Sequence, residues 1–440
     1  MLDSEIHVLY WIWLSLRCPP GQKSGHILLE HFNYDPIAIY EAEKEDYEEI
    51  KLLSADTVRR LCDKSSVKER SIYYWCRKNG VTILTMSSPN YPHRLLELPD
   101  APLLLYVRGK LPDVDQNVLI AAVGTRKYSE YGRQHAYTIC YDITRCGGIV
   151  VSGMARGIDS VCHRGALDAG GLTVAVLGCG IDRCYPPENA GLMEEIAHNG
   201  AVVTEFPPST PPEGKNFPIR NRIISGLCVG TLVIEADERS GALITAKRAQ
   251  EQGRQVFALP GDVGESGSQG PNQLIRTGDA IAVTEGRDVM ENYEFDYPTK
   301  VFPERAYRLK PPFVPDLRRN SMRREEPKPL KIEHYEIEDP IWEEAKSMRD
   351  EEPRPETLRK HKRKKPEGSA EQEDVVHVAP ILTDELQQKI YQVMVEKKEM
   401  SVDELVEFTG ATAAKILTAA TFLEIQGVID TCPGGRYRLL

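Results

Sequence analysis

From about residue 117 to residue 284 the chain repeats one pattern: a short run of β-branched or small apolar residues, a turn, then a longer stretch with apolar positions at helical spacing. The strand-like runs are Asn117–Val123, Gly148–Ser152, Leu172–Leu177, Ala201–Glu205, Gly230–Glu235, Gln255–Leu259 and Ala280–Thr284. Gln134–Arg145, Asp159–Asp168, Leu192–Asn199 and Leu243–Gln252 supply helices between them. Strands buried on both faces read as continuous apolar runs, and strict alternation with helices predicts an α/β fold with a mostly parallel, doubly wound sheet. Ligands on such sheets sit at the carboxyl ends of the strands.

The flanks follow other patterns. Residues 1–95 read as a small helical module, with helical spacing in Ile27–Phe32 and Thr57–Cys62 and turns at Pro19-Pro-Gly21 and Pro89-Asn90. Residues 96–300 hold the α/β core. Residues 301–375 are rich in Pro, Arg, Lys and Glu without a sustained apolar period, and read as a charged disordered linker. Its basic run, Arg359–Lys365, would add salt-dependent DNA affinity or simply keep the linker soluble. Residues 376–440 regain helical order at Glu385–Glu396, Ser401–Phe408 and Ala413–Gln426, with a capping-box spacing at Ser401 and Glu404 and a hairpin around Pro433-Gly-Gly435. Three helices and a hairpin predict a C-terminal winged helix.

Composition narrows the function. At 440 residues and a formal charge of −11, the chain is not one that coats nucleic acid over its whole surface, so a nucleic-acid site must be a local basic patch. Ten cysteines without a Cys-x-x-Cys pair fit reduced thiols in the cytoplasm. The apolar run Val8–Leu16 is too short to span a bilayer and carries Asp3 and Glu5 where a signal peptide would be basic, which implies neither export nor insertion.

Candidate chemistry gathers at the turns. Asn216-Phe-Pro-Ile-Arg-Asn-Arg-Ile-Ile-Ser-Gly-Leu227 sets Arg220, Asn221 and Arg222 in an apolar run that reads as a buried helix, a pattern that suggests a fixed anion site. Ser152-Gly-Met-Ala-Arg-Gly-Ile-Asp159 and Leu177-Gly-Cys-Gly-Ile-Asp182 each follow a strand-like run. Glycines at 153, 157, 178, 180 and 241 let backbone N–H groups approach a ligand, and the helix N-termini beyond them favour phosphate; each glycine alone could equally be relieving steric strain. Gly124, Ser152, Ser240 and Thr245 stand in the same turns. Arg126, Arg156, Lys215, Arg220 and Arg222 are candidate phosphate donors, with a solvated side chain the competing reading for Arg156 and Lys215. Phe217 either stacks on a base or packs beside Pro218; Asn221 either positions a ligand or serves a turn.

With Val123-Gly-Thr-Arg126, Ser240-Gly-Ala-Leu-Ile-Thr-Ala246 and Leu259-Pro-Gly-Asp262, these motifs resemble the DNA-processing protein A family, also called Smf. The resemblance implies an extended Rossmann-like core, an N-terminal module of sterile-alpha-motif or helix-hairpin-helix type, and a winged helix. It also implies a non-enzymatic protein without a cofactor. Such a protein binds and protects single-stranded DNA, loads a RecA-type recombinase in natural transformation or homologous recombination, and forms a homodimer through the core. Cys18-Pro-Pro-Gly21 departs from the Gly-x-Gly hairpin that such an N-terminal module would use on DNA. Few cations on Ala413–Gln426 point the winged helix toward a protein partner.

An alternative is a nucleotide-processing enzyme that hydrolyses nucleoside monophosphates, but Glu235–Thr245 lacks the paired glycines and the final Glu of that type. A dehydrogenase is weaker, because Val123–Tyr128 has no Gly-x-Gly-x-x-Gly. No Gly-x-Ser-x-Gly elbow supports a nucleophile at Ser152, Cys179 or Cys184, and His163 reads as a packed helical residue.

Overall fold

The computed structural model describes residues 2–308 and, in the C-terminal part, residues 389–391, 393–394, 397, 399–409, 416, 419–420, 423, 429–432 and 436–439. Six helices come first: α1 (Leu2–Arg17), α2 (Ser24–His31), α3 (Pro36–Glu41), α4 (Lys44–Glu49), α5 (Ala55–Leu61) and α6 (Val67–Lys78). The apolar run of α1 is a core helix, with Trp11, Ile12, Trp13 and Leu14 buried.

The sheet then begins earlier than the α/β pattern indicated, with β1 (Val81–Thr85), α7 (His93–Leu96) and β2 (Leu104–Gly109). The seven expected strands follow as β3 (Leu119–Val123), β4 (Ile149–Ser152), β5 (Thr173–Val176), β6 (Gly200–Thr204), β7 (Gly230–Val233), β8 (Gln255–Ala258) and β9 (Ile281–Ala282). Between them run α8 (Glu130–Arg145), α9 (Ile158–Asp168), α10 (Ala190–His198), α11 (Asn216–Gly226), α12 (Gly241–Glu251) and α13 (Gln269–Thr277), and α14 (Gly286–Met290) follows β9. Strand order is β1-β2-β6-β5-β4-β3-β7-β8-β9. β1–β2 and β2–β6 pair antiparallel and every other pair is parallel. From β3 the chain winds one way to β6 and then returns to β7 on the other side, so the switch point lies between β3 and β7.

Alternation along each strand sorts side chains into two layers. Leu119, Ala121 and Val123 pack with Ile223 and Ile224 of α11 and Ala246 of α12, while Ile120 and Ala122 face α8 and α9 through Ile139 and Val161. The N-terminal helices share their core with the sheet: Trp11, Trp13 and Leu29 belong to one cluster with Tyr106, Leu177, Met193 and Val202. At the other end Val301 is buried, Phe302 N–H donates to Cys146 O at 2.8 Å, and Pro303–Arg308 closes the described core.

In the C-terminal unit, β10 (Glu399–Ser401), β11 (Ile429–Cys432) and β12 (Arg436–Leu439) form a three-stranded sheet in the order β10-β12-β11, beside α15 (Val402–Thr409). The Ser401–Glu404 capping box is present, with Ser401 N–H donating to Glu404 at 2.7 Å and Glu404 N–H to Ser401 Oγ at 3.3 Å. Most of Ala413–Gln426 and most of the linker, from residue 309 onward, lie outside the described residues. Among the described residues no helix is long and apolar enough to cross a membrane.

Candidate nucleic-acid interface

A cleft of about 630 Å³ opens at the carboxyl ends of β3 and β7, at the switch point. One wall is the Gly124–Lys127 loop after β3. Thr125 N–H donates to Glu235 O at 2.7 Å, and Thr125 O accepts from Ile158 N–H at 3.1 Å, so the loop is tied to both β7 and α9. Gly157 makes this approach available: its φ is +91°, and a Cβ there would lie 2.3 Å from Thr125 O. Arg126 and Lys127 leave the loop into solvent.

The opposite wall is the first two turns of α11, with Phe217, Arg220, Asn221 and Ile224 on the cleft side. Arg220 is only 4% exposed, and its Nη1 donates to Gly153 O at 2.7 Å and also to Val176 O. Nε donates to Asn221 Oδ1 at 3.2 Å. Burial lowers its pKa to about 10, opposed by the nearby Asp159 carboxylate. Asp159 is buried, so desolvation raises its pKa, with Arg220 pulling the other way. Phe217 is half-buried, with the Arg126 guanidinium 5.5 Å and the Arg220 guanidinium 5.8 Å from its ring centroid. Gly178 leaves room for that ring, since a Cβ there would meet Phe217 at 2.9 Å.

The third wall is the turn after β7 and the start of α12. Ser240 caps α12 by accepting from Ala242 N–H at 3.3 Å, and Ser240, Gly241 and Thr245 line the cleft with the exposed Arg239. Glu235 is a buried carboxylate of this wall that is committed elsewhere. It accepts from Ser129 N–H at 3.0 Å and from Ser129 Oγ, while Ser129 Oγ accepts from Gly132 N–H at 3.0 Å at the start of α8. An anion at a helix N-terminus is favourable, so this carboxylate orders the wall.

The structure thus brings together Gly124, Arg126, Phe217, Arg220, Asn221, Ser240, Gly241 and Thr245. Ser152 lies behind them, its Oγ donating to Ala122 O at 2.6 Å, and Gly153 gives its carbonyl to Arg220. Gly180 closes a turn against Thr210 O at 3.0 Å. Three cations point elsewhere. Arg156 pairs with Glu188, Lys215 pairs with Glu213 at 2.6 Å, and Arg222 is 3% exposed, bound to Glu205 at 2.7 Å and Asp100 at 3.3 Å. Two helix positions turn a side chain by about 200°, so Arg220 and Arg222 cannot face the same ligand. Sequence reasoning missed Lys127 and Arg239; both directly adjoin motifs already recognised, Gly-Thr-Arg126 and Ser240-Gly241.

Residues 82–294 match the family model described as DNA recombination-mediator protein A, and residues 370–435 match the DprA winged helix domain. DNA processing protein DprA of Bacillus subtilis is 38% identical over 237 residues, a match covering 54% of this chain and 76% of the relative. The chain belongs to the DNA recombination-mediator protein A family. Protein Smf of Escherichia coli, a further relative, is 44% identical over 222 residues, but the match spans only 59% of that protein and 50% of this chain. The solved structure of DNA processing protein A from Streptococcus pneumoniae overlaps 64% of this chain and 97% of its own with a TM-score of 0.57 at 34% identity. Membership in this recombination-mediator family accounts for the Rossmann-like sheet and the winged helix together.

Proposed function

We propose that the cleft binds single-stranded DNA through its phosphates and with little sequence preference, and that the protein shelters such strands and delivers them to a RecA-type recombinase during transformation or homologous recombination. The observation that carries this reading is the convergence of exposed Arg126, Lys127 and Arg239 with buried Arg220 and the half-buried Phe217 ring in one cleft. Cations that track a backbone beside an aromatic on which a base can stack are the physical requirements for a single strand. A local patch also reconciles phosphate binding with a net charge of −11. The reading asks no bond-making of the side chains.

Self-association through the core belongs to the same reading. Strand β9 ends the sheet with Ile281 and Ala282 exposed, an edge that a second copy could cover, and pairing two clefts would raise avidity. The winged helix is assigned to a protein partner on the scarcity of cations in Ala413–Gln426, and Arg436 is paired with Glu404 at 3.0 Å.

A salt titration with a fluorescent single-stranded oligonucleotide tests the proposal, with duplex DNA and a nucleoside monophosphate as competitors. Strand-selective binding that weakens linearly in log salt is expected. Displacement by micromolar nucleotide, with little affinity for the strand, would move the assignment to a nucleotide-processing enzyme. Phe217→Leu is expected to cost about 1–3 kcal/mol of single-strand affinity with an unchanged salt slope, since stacking is lost and no phosphate contact is. Unaltered affinity would make Phe217 a residue that only packs against Gly178 and the Tyr185 ring.

A further inference from the structure

The rear of α11 is as highly organised as the face that meets the cleft. Arg222 lies between Glu205, just past the end of β6, and Asp100, in the turn before β2. Ile219, on the same side, receives the Pro19–Gly21 turn of the N-terminal helices. Gly21 has φ +77°, and a Cβ on it would lie 3.0 Å from Ile219 Cγ2. The same N-terminal segment is fastened to the turn carrying Asp100, with His26 Nε2 2.8 Å from Ala101 O. Arg94 then holds the end of the helix, donating to Leu227 O at 3.3 Å. Arg222, Ile219 and Leu227 are absent from the cleft lining.

We propose that this rear face is the positioning element of the cleft: the buried Arg222–Glu205–Asp100 cluster and the Pro19–Gly21 turn fix the rotation of α11, and so the aim of Phe217, Arg220 and Asn221, coupling the N-terminal helices to DNA binding. The proposal rests on the cleft being the single-strand site. A helix is a rigid rod over eleven residues, and a rotation that slackens the rear contacts swings the front side chains by the same angle. Arg222 is therefore a positioning residue that touches no DNA. Because coupling is reciprocal, a strand in the cleft must in turn steady the Pro19–Gly21 turn.

The test compares the full chain with Arg222→Met and with Arg222→Met/Glu205→Gln, each measured for thermal midpoint and for oligonucleotide affinity across a salt series. The single change leaves a buried carboxylate without its partner and should lower the midpoint and the affinity. The double change removes that unpaired charge. Its midpoint should return toward wild type while its affinity stays about tenfold weaker with the wild-type salt slope. A double variant that recovers affinity together with the midpoint would overturn the proposal and leave the cluster a purely structural one. Should the double variant not fold, Gly21→Ala acts on the same helix from the N-terminal side, and wild-type affinity in that folded protein is likewise contrary. Hydrogen exchange of the wild-type chain gives a third reading: oligonucleotide should slow exchange at residues 18–26, and no change there counts against the coupling. A wild-type chain that ignores the oligonucleotide altogether would instead sink the cleft assignment, and the coupling with it.

Discussion

A protein carrying Arg126→Ala, Lys127→Ala and Arg239→Ala together is expected to bind single-stranded oligonucleotide about a hundredfold more weakly at low salt and to show a salt slope smaller by about 2. The second number is the sharper one. Each phosphate contact on a single strand contributes about 0.7 to the slope of log affinity against log salt, so losing three contacts sets the size of the change. All three side chains are exposed on the cleft walls, and their removal strands no buried partner, so the thermal midpoint should barely move. Fluorescence anisotropy at four or five salt concentrations measures both quantities. A full-sized slope in the folded triple variant would place the strand somewhere other than this cleft. The comparison with Arg156→Ala is informative, because that residue is equally exposed but paired with Glu188 outside the cleft, and its loss should leave the slope intact.

A large stability effect is expected at Gly157. A side chain on this residue would have to adopt φ +91° and place its Cβ 2.3 Å from Thr125 O and 2.7 Å from Arg126 Cα. Backbone strain and overpacking each cost one to several kcal/mol, and Gly157→Ala should lose about 2–5 kcal/mol of unfolding free energy. The only relief is for the Gly124–Lys127 loop to withdraw from α9, which breaks the Ile158 N–H bond to Thr125 and carries Arg126 away from Phe217. Denaturant unfolding and oligonucleotide affinity should therefore fall together. A Gly157→Ala protein of wild-type stability would mean that the loop is held less tightly than its hydrogen bonds indicate. Gly264, outside the cleft lining, offers the control, since a Cβ there meets nothing within 4 Å.

The sheet was legible because its strands are buried on both faces. Val118–Val123, Ile149–Ser152 and Thr173–Val176 are unbroken apolar or small-residue runs, and each has a capped helix or a glycine turn beyond it. The antiparallel pair β1–β2 was not legible. Val81–Thr85 is short and carries an exposed Thr82, and Leu104–Gly109 lies within a proline-rich stretch whose strand partner, β6, is distant in sequence. Nor could the helical spacing of residues 1–95 reveal that those helices complete the core of the sheet, because the membership of Trp11 and Leu29 in one core with Leu177 and Val202 is set by topology. The site shows the same division. The Gly-Thr-Arg126 loop and the Phe217–Asn221 turn carried recognisable residue types, and the structure gathers them. What the sequence could not say was which way each arginine of α11 faces, because both flanks of that helix are buried and its apolar residues give no single stripe. A helix without a polar face withholds the one cue from which orientation is ordinarily read.

The shared core of the N-terminal helices and the sheet bears on how the chain is made. Trp11, Trp13 and Leu29 are synthesised before Leu177, Met193 and Val202, with which they finally share a core, by on the order of ten seconds at ordinary rates of synthesis. For that interval the sheet-facing side of these helices lacks its native cover, so residues made early are among the last to be fully secured. A chaperone that engages α1 early, and releases it only when β6 has been completed, would be guarding the step most exposed to aggregation.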